Sequence, residues 1–346
     1  MEAFDVNRSR ANSTTAPSID DVEEDHSSGA LSIDEILERR LGHVHARQRL
    51  GIERSATPRV FGGGLNFFHP ENWYSIHAII RYTLQATGLY WRARRNARTP
   101  RVVHNEIRLP ALPKAFDGYR ILHLSDLHVD LDPAITHAVV SRLQGLDYDI
   151  CVLSGDYRGQ TYGDIGPTLA GMRQIAAALS QPAYCVLGNH DSICMVPGLE
   201  DMGFRVLINE LAVIRRGDHA LFLAGIDDAH FFRVDNIEKA AADIPRDGFS
   251  LLISHTPEVY RQAAHAGFSL FLCGHTHGGQ ICLPGGFPLT LDATCPRYMG
   301  AGNWQYHAMH GYTSVGAGSS IVNARLNCDP EITVHHLRCE SSLRAG

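Results

Sequence analysis

The feature that most constrains this 346-residue chain is a series of short apolar segments that alternate with helix-like stretches from about residue 106 onward. The segments are YRILHLS (119–125), ICVLS (150–154), AYCVL (183–187), ALFLA (220–224), SLLIS (250–254), LFLC (270–273), YTSV (312–315) and ITVHH (332–336). They are short and rich in β-branched residues or leucine, as strands buried on both faces are. Helical spacing fills the gaps at about 134–145, 167–179, 235–243 and 257–265. This alternation predicts a layered α/β domain over residues 106–340. A hydrophobic content of 44% excludes both whole-chain disorder and a polytopic membrane protein. The formal net charge of -6 lacks the basic footprint of a general nucleic-acid binder, so no nucleic-acid partner is expected.

Two segments precede that domain. Residues 1–30 are polar and acidic (Asp20, Asp21, Glu23, Glu24, Asp25), with no apolar core of a secretory signal, and read as a disordered tail. Residues 31–105 read as a helical, arginine-rich extension. Ser32 and Glu35 have capping-box spacing, and Ile36, Leu37, Leu41 and Val44 predict a helix to about Arg49. Pro58, Gly62, Gly63, Gly64 and Pro70 mark a loop over 55–72. From Trp73 to Asn105 there is no acid, and there are six arginines: Arg81, Arg92, Arg94, Arg95, Arg98 and Arg101. Ile76, Ile80, Thr83 or Leu84, Thr87 and Trp91 share one helical face, between aromatic ends. That composition suits a helix lying on an anionic membrane surface through residues 73–101. It is too polar to span a bilayer. The competing expectation is a helix packed on the domain, with its arginines in solvent.

The eight cysteines form no CxxC pair, which excludes a four-thiolate zinc site and favours free thiols in a reducing cytoplasm. The chemistry instead gathers where the apolar runs end. Asp126 and His128 follow the first, Asp156 the second, and Asn189, His190 and Asp191 the third. His255 closes SLLISH, and GHTHGGQ supplies His275 and His277. Sites of α/β sheets form beyond the carboxyl ends of strands, so these segments are expected to converge. Mixed nitrogen and oxygen donors without thiolate suit Mn, Fe or Zn. These candidates outnumber the four to six positions around one ion, which points to two divalent metal ions. His123 is expected in the core, His307 and His310 in a loop, and one of His335 and His336 at the solvent. Arg158 is expected at the surface, with contact to a substrate phosphate as the alternative, and Asp227 and Asp228 as residues that support the site or structure a loop rather than ligands.

The ordered set DLH, GD, GNHD, SHTPE and GHTHGGQ, with the ending RLNCDPEIT (325–333), resembles the calcineurin-like metallophosphoesterase superfamily, and most of all its bacterial membrane-associated branch. The resemblance covers about residues 106–340. It implies a two-sheet αββα sandwich carrying the N-terminal helical extension. It also implies that Asp126, His128 and His277 bind one metal, that Asn189, His255 and His275 bind a second, and that Asp156 bridges them. A metal-bridging hydroxide would attack phosphorus, with His190 assisting and Asp191 orienting its ring. One departure is Gly159, which stands where many members carry a second carboxylate. The expected activity is hydrolysis of a phosphodiester or pyrophosphate, on a lipid-linked or nucleotide-linked substrate. The alternatives are a soluble cyclic-nucleotide or nucleotide phosphodiesterase, and a non-catalytic metal-dependent scaffold. The expected location is the cytoplasm or the inner face of the cell membrane.

Overall fold

The computed structural model describes residues 31–55, 74–288, 290–320 and 322–340, without the side chains of 74–77. The tail read over 1–30, most of the loop read over 55–72, and the side chain of Ile76 lie outside the described residues.

Strands in chain order are β1 (Arg101–Leu109), β2 (Arg120–Leu124), β3 (Ile150–Leu153), β4 (Ala183–Cys185), β5 (Phe204–Val206), β6 (Glu210–Arg216) and β7 (His219–Gly225). They continue as β8 (Ser250–Ile253), β9 (Leu270–Cys273), β10 (Cys282–Leu283), β11 (Phe287–Pro288), β12 (Gly302–Tyr306), β13 (Met309–Thr313) and β14 (Glu331–Cys339). Two six-stranded sheets result, in the orders β1-β14-β2-β3-β4-β5 and β12-β13-β9-β8-β7-β6. Each is parallel through its middle, β2 to β5 in one and β7, β8, β9 and β13 in the other. Within the described residues β10 and β11 pair only with each other.

The alternation of side chains along each strand sorts the core into layers. Ile121, Ile150 and Val152 of the first sheet pack against Leu221, Leu223, Leu251, Ile253, Leu270 and Leu272 of the second. Leu122, Leu124, Cys151 and Leu153 point the other way, onto α1 (Ile33–Leu41), α2 (His43–Ser55), α5 (Pro133–Leu143), α6 (Gly166–Ala178) and α7 (Val196–Asp201). Between α2 and α5 in the chain come α3 (Tyr74–Ala86) and α4 (Tyr90–Ala97). The outer face of the second sheet, with Ala224, Leu252 and Phe271, is covered by α8 (Ile237–Ala241) and α9 (Tyr260–His265). This is the expected αββα sandwich. All eight cysteines are free.

Several boundaries differ from the sequence reading. The helix read from Ser32 to Arg49 is two, because Gly42 takes φ +84 and ends α1. Leu37, Leu41, Ala46 and Leu50 are buried, while Val44 is exposed. The single amphipathic helix read after Trp73 is likewise broken at Gly88, with φ +71. The last residues of that arginine-rich stretch, Arg101–Asn105, are strand β1, paired in parallel with β14. His310 lies in β13 rather than in a loop.

Candidate metal centre

Asp126, Asp156, Asn189, His255, His275 and His277 all follow directly on β2, β3, β4, β8 or β9, and the two sheets bring them together. The ligand atoms of Asp126, His128 and His277 lie within 4.8 Å of one another, as do those of Asp156, His255 and His275. Asn189 joins the second group, with Oδ1 at 2.9 Å from His255 Nε2. The loops that present these groups are bent sharply. Asp126, His128, Asp156, His275 and His277 all have φ between 44 and 73, a region that side chains other than glycine enter only at a cost of about 1–3 kcal/mol each. Two glycines allow the close approach: a Cβ on Gly188 would strike the Asp156 carboxylate, and one on Gly274 would strike Ser125 and Asp126.

Whether these groups suit a cation is decided by their hydrogen bonds. His128 Nδ1 faces the Arg158 carbonyl and His255 Nδ1 the Ser154 carbonyl. A carbonyl takes a proton-bearing nitrogen, so Nε2 of each ring faces the site and is the atom a metal can take once any proton there has been displaced. His255 Nε2 then faces three more acceptors or lone pairs: Asn189 Oδ1 at 2.9 Å, His275 Nδ1 at 3.1 Å and Asp156 Oδ2 at 3.3 Å. Such a cluster is stable only around positive charge, a proton on His255 or a cation that replaces it. Asp126 Oδ1 and His275 Nε2 are buried and have no hydrogen-bond partner among the described residues. The donor set therefore fits divalent metal ions.

The electrostatics agree. Burial works against a charged His255, but the Asp156 and Asp126 carboxylates push it up to about 10. Burial, helped by His230, holds His275 well below the usual histidine range, and burial with Arg325 does the same for His277. Both rings are held in the neutral form. Burial also raises the carboxyl of Asp126, with Asp156 adding to it. Asp156 itself is driven well below the carboxylate range by His255 and His190 despite its burial.

Asp191 departs from the expected arrangement. Its Oδ2 accepts from the N–H groups of Asp156 (2.8 Å) and Gly188 (2.9 Å), and its Oδ1 from those of Tyr157 (2.9 Å) and Arg158 (3.1 Å). Both oxygens thus brace the backbone of the two loops that carry Asp156 and His190. The group at His190 Nδ1 is instead the Thr161 hydroxyl, at 2.8 Å. The expectation that Asp191 orients the imidazole gives way to a role in holding backbone, because four N–H groups occupy its oxygens. Arg158 is not a surface residue either. It is 2% exposed and donates to the carbonyls of Thr161 (3.3 Å) and Gly163 (3.1 Å), which steadies the segment bearing Thr161.

Other supports went unread in the sequence. Arg325 is fully buried, donates to the His277 carbonyl at 3.0 Å, and brings Nη2 to 3.0 Å from His277 Nδ1. Its signal was available in the RLNCDPEIT ending. His230 packs on His275 with ring centroids 4.3 Å apart, and with His275 and Asp292 forms a further candidate ligand group. His123, in the core as expected, continues through Ser154 and Ser125 to Asp126. The Asp228 carboxylate accepts from the N–H groups of His230, Phe231 and Phe232, which is the loop-structuring role expected of it.

A cavity of about 380 Å³ opens over the centre. Asp156, Asn189, His190, His275 and His277 belong to its polar lining together with Gln280, Asp292 and Ser320, and Ile79, Ile80 and Leu84 of α3 with Ile281 and Val322 form an apolar wall.

Comparison with known proteins agrees with this geometry. Residues 119–279 match the family model described as calcineurin-like phosphoesterase. A protein of Danio rerio named "Transmembrane protein with metallophosphoesterase domain" is 31% identical over 68% of this chain, which spans 57% of that relative's length. "Uncharacterized metallophosphoesterase YkoQ" of Bacillus subtilis is 29% identical, with 71% of this chain and 94% of the relative covered. "Phosphodiesterase YaeI" of Escherichia coli is 29% identical, with 63% and 82% covered. The αββα sandwich, the two ligand groups at its strand ends and these likenesses agree, and the chain belongs to the calcineurin-like metallophosphoesterases.

Proposed function

We propose that this chain is a phosphohydrolase that holds two divalent metal ions, drawn from Mn, Fe and Zn, and cleaves a phosphodiester or pyrophosphate. The observation that carries the reading is the cluster of Asp156, Asn189, His255 and His275 beside the Asp126, His128 and His277 group, which reach one cavity through Asp156, Asn189, His275 and His277. Asp126, His128 and His277 would hold one ion, Asn189, His255 and His275 the other, and Asp156 would serve both. Two bound ions supply Lewis acidity, which lowers the pKa of water and neutralises phosphoryl charge. His190 contributes the movable proton: its Nε2 sits 3.9 Å from Asp156 Oδ2 at the cavity floor, and Thr161 fixes the opposite nitrogen. From there it donates to the leaving oxygen. Hydrolysis of an aryl phosphodiester by purified chain tests this. Activity should be lost in chelator and restored by added metal, and His190→Ala should keep the metals while turnover falls by about 10²-fold. Metal-independent hydrolysis, or none with metal bound, would refute it.

The substrate we propose carries an apolar group, presented at an anionic membrane surface. The support is the wall of Ile79, Ile80 and Leu84 beside the reacting centre. Ile79 (55% exposed) and Tyr82 (68%) of α3 and Trp91 (74%) of α4 are also exposed, as are Arg81, Arg92 and Arg95 on the same two helices. Such a surface takes aromatic rings into the headgroup layer and arginines onto anionic lipid. No helix among the described residues is long and apolar enough to cross a membrane. Co-sedimentation with phosphatidylserine vesicles should fall several-fold in an Ile79→Ser, Tyr82→Ser, Trp91→Ser variant. Equal binding by both proteins, or hydrolysis confined to small soluble nucleotides, would overturn this part and favour a soluble nucleotide phosphodiesterase.

A further inference from the structure

We propose that Arg49, on α2 and distant in sequence from every motif residue, is a positioning residue for His190. The proposal rests on the phosphohydrolase reading above.

Arg49 is fully buried, and its guanidinium joins two turns that flank the centre. Nη2 donates to the carbonyl of Asp191 at 2.8 Å, one peptide beyond His190. Nη1 donates to Glu53 Oε2 at 2.9 Å, and that same oxygen accepts from the N–H of Ile193 at 3.1 Å. The turn 189–193 is therefore gripped from α2 at two backbone points. On its other side the guanidinium lies flat over Phe232, 3.2 Å from the ring centroid, and Nε sits 3.6 Å from Asp227 Oδ1. Phe232 belongs to the turn that Asp228 closes, and His230 of that turn packs against His275. His45, also on α2, reaches Asp227 Oδ2 at 3.0 Å.

Placing a cation at zero exposure is costly unless it is matched by charge and hydrogen bonds. Here Glu53 and Asp227 supply the charge and a ring face the remaining contact, which stacks guanidinium better than ammonium. A planar fork can hold the Asp191 carbonyl and Glu53 at once while lying on Phe232. A lysine ammonium can satisfy one of them. Arg49 touches neither substrate nor ligand side chain, and acts by fixing the peptide that aims the His190 ring into the cavity.

The test compares Arg49→Met and Arg49→Lys with the parent in the full chain. Its measurements are metal content, melting temperature, kcat and KM on an aryl phosphodiester, and the His190 imidazole signals in an NMR spectrum at fixed pH. Arg49→Met should bind its full complement of metal, lose about 10-fold or more in kcat and keep KM within about twofold. Its His190 signals should move, and Arg49→Lys should recover part of the loss. A loaded, folded Arg49→Met with parental kcat and unmoved His190 signals overturns the proposal. So does a loss of activity that merely follows a loss of metal, which would make Arg49 a structural residue only. If Arg49→Met does not fold, Phe232→Leu is read instead: it removes the ring face with every charge in place, and unchanged kcat and His190 signals in it overturn the proposal. Should the parent show no metal-stimulated hydrolysis, the phosphohydrolase reading fails by itself. The NMR signals still decide whether Arg49 positions His190.

Discussion

Replacing Asp191 with asparagine changes little in shape and much in hydrogen bonding. The carboxylate accepts four backbone N–H groups, two on each oxygen, at 2.8–3.1 Å. An amide keeps one oxygen and turns an NH₂ toward the other two donors. Two bonds to a charged acceptor are lost, at about 1.5–3 kcal/mol each, or roughly 3–6 kcal/mol together. An opposing effect is present. Burial and the neighbouring Asp156 push the Asp191 carboxyl up to about 6, so its ionised form costs roughly 3 kcal/mol at neutral pH. Asparagine removes that cost. Cations bound at Asp156 would largely remove it in the parent as well, leaving the lost hydrogen bonds unopposed. The Asp191→Asn variant is therefore expected to be only slightly destabilised in chelator. With metal bound it should be destabilised by about 3 kcal/mol or more, a fall in melting temperature of roughly 5 °C or more. Circular-dichroism melts with and without metal decide it. A fall no larger with metal than in chelator would refute the reasoning.

Three further outcomes follow from the same geometry. Thr161→Val removes the hydroxyl at His190 Nδ1 and should lower kcat by about 10-fold with metal content unchanged; an unchanged kcat would contradict the contact's role. Gly274→Ala drives a methyl into Ser125 and Asp126, so metal content should fall toward one ion per chain with the fold retained, as elemental analysis would read. His255, pushed up to about 10 without metal, carries a proton at neutral pH that metal must displace. Apparent metal affinity, measured by chelator competition, should therefore rise with pH by up to about tenfold per unit from pH 7 to 9, and a flat profile would contradict it.

How much of this was legible in the sequence depends on where each residue gets its partner. The central strands were legible because both faces are buried, which makes each a continuous apolar run ending at its polar cluster, as in ICVLSGD. β1 was not, since its pattern RVVHNEIRL is half exposed and merges with the arginine-rich stretch before it. The β12 strand, GNWQY, likewise shows one buried side chain among polar ones. Residue type identified the metal-binding candidates, but it could not say what Asp191 touches, because its four partners are backbone N–H groups created by the fold. Arg49 and Arg158 were hidden for the opposite reason. Arginine is normally a surface residue, and nothing local distinguishes Arg49 on α2 from exposed Arg54 one turn later. Their burial is set by carbonyls and carboxylates distant in the chain.

Counting metal in the purified chain tests the central claim most directly. Elemental analysis of the parent and of Asp156→Asn, read beside hydrolysis of an aryl phosphodiester, should give two divalent ions per parent chain. The variant should show neither bound ions nor activity. A parent that hydrolyses the diester with one ion or none, or an Asp156→Asn variant that keeps both ions and full turnover, would contradict the account.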